Sequence, residues 1–305
     1  MENSFENALD FVGDIHGNAY KLKLLLDKLG YRKSDHSWSH PEGRKLVILG
    51  DFINSGFESK EVLSILKELW TEKVAYILVG NHEYFLAWNY YRSGTRVLKT
   101  DNHLGEDYKR FLEEFENDRE LLINYCEWIY SLPVYLEGEN FRAVHAYWSR
   151  KNEKHLLKFN NILKFWNELE EEKKKKSKKL KTVLNETLSG KMAVFFVPCR
   201  MEKPEQYRVK WWKNLYCKNL NEGIHTNRAV KCPDIPIDHQ ILSDFEPYGE
   251  NEKPIFFGHY WFQTLPYLLR NNVCCLDFGA AKGGYLTAYR WNGERILNAN
   301  NLVWV

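Results

Sequence analysis

Three apolar runs in the first third of the chain each end in a glycine followed by residues able to bind a metal or move a proton. These are GDIHG at 13–17, GDFINSG at 50–56 and GNHE at 80–83. Together they offer the carboxylates of Asp14, Asp51 and Glu83, the imidazoles of His16 and His82, and the amide of Asn81. Two more imidazoles follow later apolar runs, His145 in AVHAYW and His259 in FFGHYW. Oxygen and imidazole donors in that number suffice for two adjacent divalent cations. The glycines allow sharp turns close to the ions. Taken singly, each residue has a plain structural reading: Asp14 could cap a helix, Asn81 could hold a turn and His82 could lie on the surface. Their joint occurrence at equivalent places is what points to a site.

The elements that carry these residues must bring them together. Residues 8–13, KLVILGD and VAYILVG read as strands. Between them lie helical patterns with Leu22, Leu25, Leu26 and Leu29 on one face, stopped by Gly30, and with Val62, Ile65, Leu66 and Leu69 on another. A third helix begins near His82. This β-α-β-α-β-α order predicts a largely parallel sheet covered by helices, and in such sheets ligands gather at the carboxyl ends of the strands. A long helix is expected from about Glu106 to Tyr130, then a hairpin in VYLEGENFRAVHA turning near Gly138. The C-terminal runs PIFFGH, VCCLDFG and YLTAYRW read as strands, with a hairpin turn at Asn292 and Gly293. From about residue 149 to 252 the pattern is irregular, which predicts one domain over 1–305 with an inserted, partly helical cap.

With 305 residues and a hydrophobic fraction of 44%, the chain can fill a sizeable core. Lys and Arg number 43 against 41 for Asp and Glu, so no global field selects nucleic acid or an acidic membrane. No apolar run approaches the roughly 18 residues of a membrane span, and the N-terminus lacks the basic and apolar regions of a signal peptide. The expectation is a cytoplasmic protein without a membrane partner. The six cysteines (126, 199, 217, 232, 274, 275) show no CxxC spacing and read as reduced, buried thiols. Seven lysines within residues 173–181 could neutralise a polyanion, which leaves nucleic acid as a partner to weigh. Glu170, Glu171 and Glu172 each stand four residues before a lysine, which supports instead a solvated charged helix. His36, His40, His103, His155, His225 and His239 fall outside the motifs and read as structural.

In order, GDIHG, GDFINSG, GNHE, VHA and GHYW resemble the signature of the calcineurin-like metallophosphoesterases. The likeness is to the phosphoprotein phosphatase branch and its bacterial symmetrical diadenosine tetraphosphatase-like relatives, and LDFGAAKGGYLTAYRW is similar to their last strands. It covers residues 9–90, 132–148 and 254–291. The resemblance implies a four-layer α/β/β/α sandwich and a dinuclear metal site. It implies that Asp14 and His16 hold one ion, that Asp51 bridges, and that Asn81, His145 and His259 hold the other. The cations would acidify a water between them and neutralise charge on the phosphoryl oxygens. His82 would donate to the leaving oxygen or the phosphoryl group. Manganese is the favoured metal, with iron and zinc as alternatives.

Two departures bear on the substrate. Where the phosphoprotein phosphatases have Asp-Arg-Gly, this chain has Asn54, Ser55 and Gly56. Asn54 can accept a hydrogen bond from His82 but is neutral, and Ser55 cannot replace a bidentate guanidinium. These losses weaken a protein-phosphatase reading, and the bacterial resemblance together with the aromatic-rich insert implies a phosphorylated small molecule as substrate, favoured as a nucleotide or dinucleoside polyphosphate. A protein serine/threonine phosphatase and a nucleic-acid end phosphatase are the alternatives, and a non-catalytic phosphate-ligand sensor is the reading from another class. A replacement clamp is expected in YRVKWWK, where a strand period of two puts Arg208, Lys210 and Trp212 on one face. Trp212 would stack on a base. Arg92, Arg96, Arg150 and Lys282 are the other candidates. Nothing in the sequence speaks to oligomeric state.

Overall fold

Alternation along β1 (Leu9–Val12) decides how the layers stack. Leu9 and Phe11 enter a core shared by two sheets, and Val12 faces helices on the other side. The computed structural model describes residues 8–34, 37–92, 105–171, 174–195, 205–215, 219–226 and 245–305. After β1, α1 (Ala19–Leu29) buries the four leucines of its apolar face and ends at Gly30, whose φ of 96° only glycine adopts freely. A short hairpin, β2 (Arg32–Lys33) with β3 (Trp38–Ser39), leads to β4 (Lys45–Ile48). Next come α2 (Ser59–Thr71), β5 (Ala75–Ile77) and α3 (Asn81–Arg92), the last starting inside the third motif.

The single long helix expected from Glu106 to Tyr130 is two helices. A turn at 114–117 and the non-helical backbone of Asp118 separate α4 (Glu106–Glu113) from α5 (Arg119–Ser131). Asn117 and Asp118 are residues whose side chains compete for backbone and favour such breaks. The hairpin at Gly138 forms as β6 (Tyr135–Glu137) and β7 (Arg142–Val144), antiparallel with Tyr135 opposite Val144. Then follow α6 (Arg150–Lys158), α7 (Ile162–Glu171), α8 (Lys174–Ser189), β8 (Met192–Phe195), β9 (Glu205–Val209), α9 (Leu220–Gly223) and β10 (Ile224–His225). The chain closes with β11 (Ile255–Phe257), β12 (Val273–Cys275), β13 (Asp277–Phe278), β14 (Tyr285–Trp291) and β15 (Leu302–Trp304).

The first sheet runs β13-β14-β1-β4-β5, with β15 also on β14; β1, β4 and β5 are parallel and β14 joins antiparallel. The second runs β12-β11-β7-β6. The run VCCLDFG, read as one strand, divides at Leu276: β12 belongs to the second sheet and β13 to the first. Between the sheets Phe11, Val47 and Tyr289 meet Ala143, Phe256 and Cys274, and Phe11 stacks on Phe256 with ring centroids 3.7 Å apart. The outer face of the second sheet is also covered, since Trp211 and Trp212 pack on Phe257 of β11. Helices, two sheets and a further outer layer make up the α/β sandwich. Between residues 149 and 252, Leu156, Phe165, Leu184 and Leu188 are buried in the main core.

At the end of β1 remote from the motifs, buried Asp10 accepts from Arg44 Nη2 at 2.8 Å and from Tyr31 Oη at 2.9 Å. Arg44 spends its remaining donors on the Leu9 and Trp291 carbonyls and on Asn292. A buried pair of this kind is tolerated when every donor is used. Cys126, Cys274 and Cys275 are free and buried; the other three cysteines lie outside the described residues. Along α8, Lys178, Lys179 and Lys181 are exposed while Leu180, Val183, Leu184 and Leu188 are buried. The side chains of Glu170, Glu171, Glu172 and the lysines at 173–176 lie outside the described residues. Among the described residues no helix is long and apolar enough to cross a membrane.

Candidate metal centre

The first two motifs clasp each other through backbone. The Ile15 and His16 N–H groups donate to the Asp51 carbonyl, Gly17 donates to Phe52, and Gly56 donates back to His16. The later motifs are tied likewise, Gly258 N–H donating to the His145 carbonyl at 2.8 Å. His259 N–H then bonds the Asp14 carboxylate, at 3.0 and 3.2 Å from its two oxygens. His16, Asp51 and His259 all adopt positive φ, at 49°, 47° and 66°, a costly region for side chains that persists where surrounding structure holds it. Close approach also explains two glycines. A Cβ on Gly258 would collide with Asp14 Oδ1, and one on Gly80 with Asp51 Oδ1.

Asp51 lies at the middle. Its Oδ2 stands 3.4 Å from His145 Nε2, 3.8 Å from His16 Nε2 and 3.9 Å from His82 Nε2, and its Oδ1 accepts the His82 backbone N–H. Asp14 Oδ2 is 4.0 Å from His16 Nε2. Two sets of donors could each hold an ion while sharing Asp51: His16, Asp51 and His82 in one, Asp51, His145 and His259 in the other. Asn81 joins the second set, its Oδ1 lying 3.1 Å from His145 Nε2. Asp14 adjoins the first. The arrangement differs from the sequence expectation in grouping His82 with possible ligands, where it was expected beyond them.

Ring orientation suits cation binding. His16 Nδ1 faces the Ile53 carbonyl at 3.3 Å, His145 Nδ1 faces Leu49 at 2.8 Å, and His259 Nε2 faces Ser189 at 3.1 Å. An imidazole that donates one N–H to a carbonyl leaves its other nitrogen as a lone pair. For His145 that lone pair confronts the acceptors Asn81 Oδ1 and Asp51 Oδ2, so the cluster requires a positive charge there, either a proton or a metal.

The charges follow from burial and proximity. Burial raises the Asp14 carboxyl well above the usual range, with Asp277 and Asp51 adding to the effect. Burial also pushes Asp51 up, but the imidazoles of His145, His82 and His16 together hold it well below the carboxylate range. Burial lowers His145 and the Asp51 charge more than restores it, so the ring is raised above its ordinary value. His259 is held well below by burial, then by Arg208 and His145.

Glu83 supports the site from beneath. Its carboxylate accepts four backbone N–H groups, those of Asp51, Phe52, Ile53 and Gly80, at 2.8 to 3.1 Å. Burial and the Asp51 charge push it up to about 7, against the pull of the N–H donors. Asn54 pairs with His82 as expected, but its amide nitrogen faces the ring, Nδ2 standing 3.0 Å from Nδ1, so Asn54 donates where it was expected to accept. Among the described residues, Ser55 Oγ reaches the Asp107 carboxylate, at 3.5 Å.

The expected cationic face divides. Arg208 sits beside the site, Nη1 donating to the His259 carbonyl at 3.2 Å. Strand β9 ends at Val209, however, so the period of two fails beyond it. Lys210 donates to the Asn221 carbonyl, and Trp212 is 2% exposed among Phe257, Tyr260 and Phe262. Trp212 therefore has no free ring face for a base, because aromatic packing has claimed it. Arg150 pairs with Glu252 on the surface, Lys282 is exposed, and Arg96 and the side chain of Arg92 lie outside the described residues.

One residue was missed. Asp277 is buried, its charge adds to the rise of the Asp14 carboxyl, and burial raises its own carboxyl against the pull of the His16 ring. It stands two residues after the end of β12, as Asp14 stands two residues after β1, and opens β13 within LDFGAAKGG.

Comparison with known proteins agrees with this geometry. The family model for calcineurin-like phosphoesterase matches residues 9–259. The asymmetrical bis(5'-nucleosyl)-tetraphosphatase PrpE of Halalkalibacterium halodurans is 41% identical over 73 residues, 24% of this chain and 30% of that protein. Its namesake from Oceanobacillus iheyensis is 29% identical over 143 residues, 46% of this chain and 55% of that one. The chain thus spans 30% and 55% of these two relatives. Both carry the asymmetrical designation, whereas the motifs were likened to the symmetrical proteins. The crystal structure of a cold-active protein-tyrosine phosphatase from a psychrophilic Shewanella shares the fold, with a TM-score of 0.51 and 19% identity over 96% of this chain and 81% of the other.

Proposed function

The chain belongs to the calcineurin-like phosphoesterase family, and on that premise we propose that it is a dinuclear metal-dependent hydrolase of phosphoric esters or anhydrides, acting on a nucleotide or dinucleoside polyphosphate. The observation that carries the reading is the confrontation of acceptors at His145: its Nε2 lone pair, Asn81 Oδ1 and the Asp51 carboxylate converge where a positive charge, a metal ion or a proton on His145, reconciles them. Asp14, His16 and the shared Asp51 would hold one ion, and Asp51, Asn81, His145 and His259 the other. The ligands are hard or borderline and include no thiolate, which suits manganese, with iron or zinc as alternatives. Bound divalent ions supply Lewis acidity toward phosphoryl oxygens and acidify water at neutral pH.

The remaining work falls to the chain. A water oxygen adds to phosphorus as the bond to the leaving oxygen breaks; His82 Nε2 gives its proton to that oxygen, and the proton released by the water returns to Nε2 and restores the neutral ring. The Asn54 amide facing Nδ1 keeps the proton of the neutral ring on Nε2. Arg208 has no carboxylate partner among the described residues, and its guanidinium beside His259 would grip phosphate oxygens in place of the arginine absent at Ser55. The nucleotide preference is supported by the PrpE relatives.

Manganese-loaded protein given diadenosine tetraphosphate tests this. Asymmetrical hydrolysis yields ATP and AMP, symmetrical hydrolysis two ADP, and anion-exchange separation of the products distinguishes them. Asp51→Asn should abolish turnover and lower the content of both metals by elemental analysis. Full metal content with unchanged turnover in that variant would overturn the assignment.

A further inference from the structure

The metal centre has a neighbour that the chemistry at phosphorus does not use. Trp261, Gln263, Phe278, Lys282 and Tyr285 line an open cleft of about 470 Å³. That is within the range of roughly 300 to 1,000 Å³ typical of small-molecule sites. Its two walls are pinned to one carboxylate at the edge of the metal centre. Asp277 Oδ2 accepts the Trp261 N–H at 2.7 Å, and Asp277 Oδ1 accepts the Gly279 N–H at 3.1 Å. Trp261 follows His259 by two residues, and Phe278 follows Asp277 directly. From behind, Lys21 Nζ donates to the carbonyls of Ala280 and Gly284, at 2.8 and 2.7 Å, and so fixes the loop that presents Lys282.

The polar equipment of the cleft is uncommitted. Lys282 is exposed and its ammonium has no hydrogen-bond or ion-pair partner among the described residues. The Trp261 indole N–H has no partner among them either, and it is not buried. Gln263 is exposed beside them with a carboxamide that can both donate and accept. One free cation, one aromatic ring with a spare donor and one carboxamide match a group that is anionic at one end and a flat heterocycle at the other.

We propose that this cleft binds the nucleoside end of the substrate, with a phosphate that is not cleaved on Lys282 and the base against Trp261. The inference rests on the nucleotide reading above and adds the site that selects it. Small aryl phosphates would be hydrolysed without occupying the cleft.

The test uses the full-length manganese-loaded protein with p-nitrophenyl phosphate as reporter and three inhibitors: AMP, ribose 5-phosphate and inorganic phosphate. Lys282→Ala should raise the inhibition constant of AMP and the KM for diadenosine tetraphosphate about tenfold, the scale of one charge-assisted hydrogen bond. It should leave the inhibition constant of inorganic phosphate and the aryl phosphate kcat unchanged. Trp261→Leu should weaken AMP but not ribose 5-phosphate, which has no base. Unchanged AMP inhibition in Lys282→Ala, or equal weakening of AMP and inorganic phosphate, would overturn the proposal while the hydrolase reading stood. If the wild-type protein hydrolysed neither ester nor nucleotide, the hydrolase reading would fall. Equilibrium dialysis with labelled AMP would then decide the cleft alone: binding lost in Lys282→Ala supports it, and no binding to wild type overturns it.

Discussion

The side-chain nitrogen of Asn54 stands 3.0 Å from Nδ1 of His82, and an amide nitrogen can only donate. Nδ1 is therefore a lone pair, and the neutral ring carries its proton on Nε2, which lies 3.9 Å from Asp51 Oδ2. Asn54→Asp reverses the polarity: a carboxylate accepts from Nδ1–H and favours the doubly protonated ring. Aspartate tolerates the φ of 65° at this position. In the variant the neutral ring carries its proton on Nδ1 and Nε2 donates only in the doubly protonated form, so an alkaline limb should appear in the kcat profile. An unmoved profile would mean that residue 54 does not govern the proton on His82.

His82 is near enough to Asp51 and His16 to belong to a metal-binding triad, so metal content decides its role. As a proton donor, His82→Ala should retain both metals and lose about a hundredfold or more in kcat toward alkyl phosphates. The loss should be smaller for aryl phosphates, whose leaving oxygens need less protonation. Loss of one metal equivalent by elemental analysis would make it a ligand.

Glu83 touches no reacting group, yet it gathers four backbone N–H donors from the turns that carry Asp51 and Asn81. In Glu83→Gln one oxygen becomes an NH2 that faces two of those donors. The loss of two bonds to a charged acceptor should destabilise the fold by about 3 kcal/mol or more in urea unfolding. Metal affinity should fall as well, because the turn presenting Asp51 loosens. Unchanged stability would show that the turn holds its shape without the carboxylate.

Asp14 and Glu83 are both raised, first by burial and then by other carboxylates. Cations placed among those carboxylates reverse the charge that raises them, so metal binding should expel protons. Affinity for manganese should therefore weaken as pH falls through about 7, the value to which Glu83 is pushed. Calorimetric titration in buffers of different ionisation enthalpy reads the proton count directly; no buffer dependence would refute the linkage.

The strand-helix alternation and the motifs at the strand ends are legible because each rests on a local period or a short spacing. Leu22, Leu25, Leu26 and Leu29 are buried as their spacing demands. What escapes is decided by partners far away in sequence. Trp212 has the type and spacing of a surface ligand, and only the rings of Phe257 and Tyr260 place it inside. The imidazole orientations depend on the carbonyls of Leu49, Ile53 and Ser189, to which no sequence pattern assigns a role. Asp277 escapes for a nearer reason: it belongs to an apolar run that looks continuous but changes sheets one residue before it.

That change of sheet has a mechanical meaning. Leu276 donates its N–H to Phe257 of the second sheet, and its carbonyl lies where any side chain on Gly13, at the end of β1 in the first sheet, would have to go. The residue is thus a stitch between the layers, placed beside Asp14, His259 and Asp277. The turns after the first sheet bring Asp14 and Asp51 to the site, and those after the second bring His145 and His259. A bound ion would close the same seam from above, so the two sheets cannot slide past each other without pulling the ligand set apart. Opening of the sandwich and release of the metal become a single event.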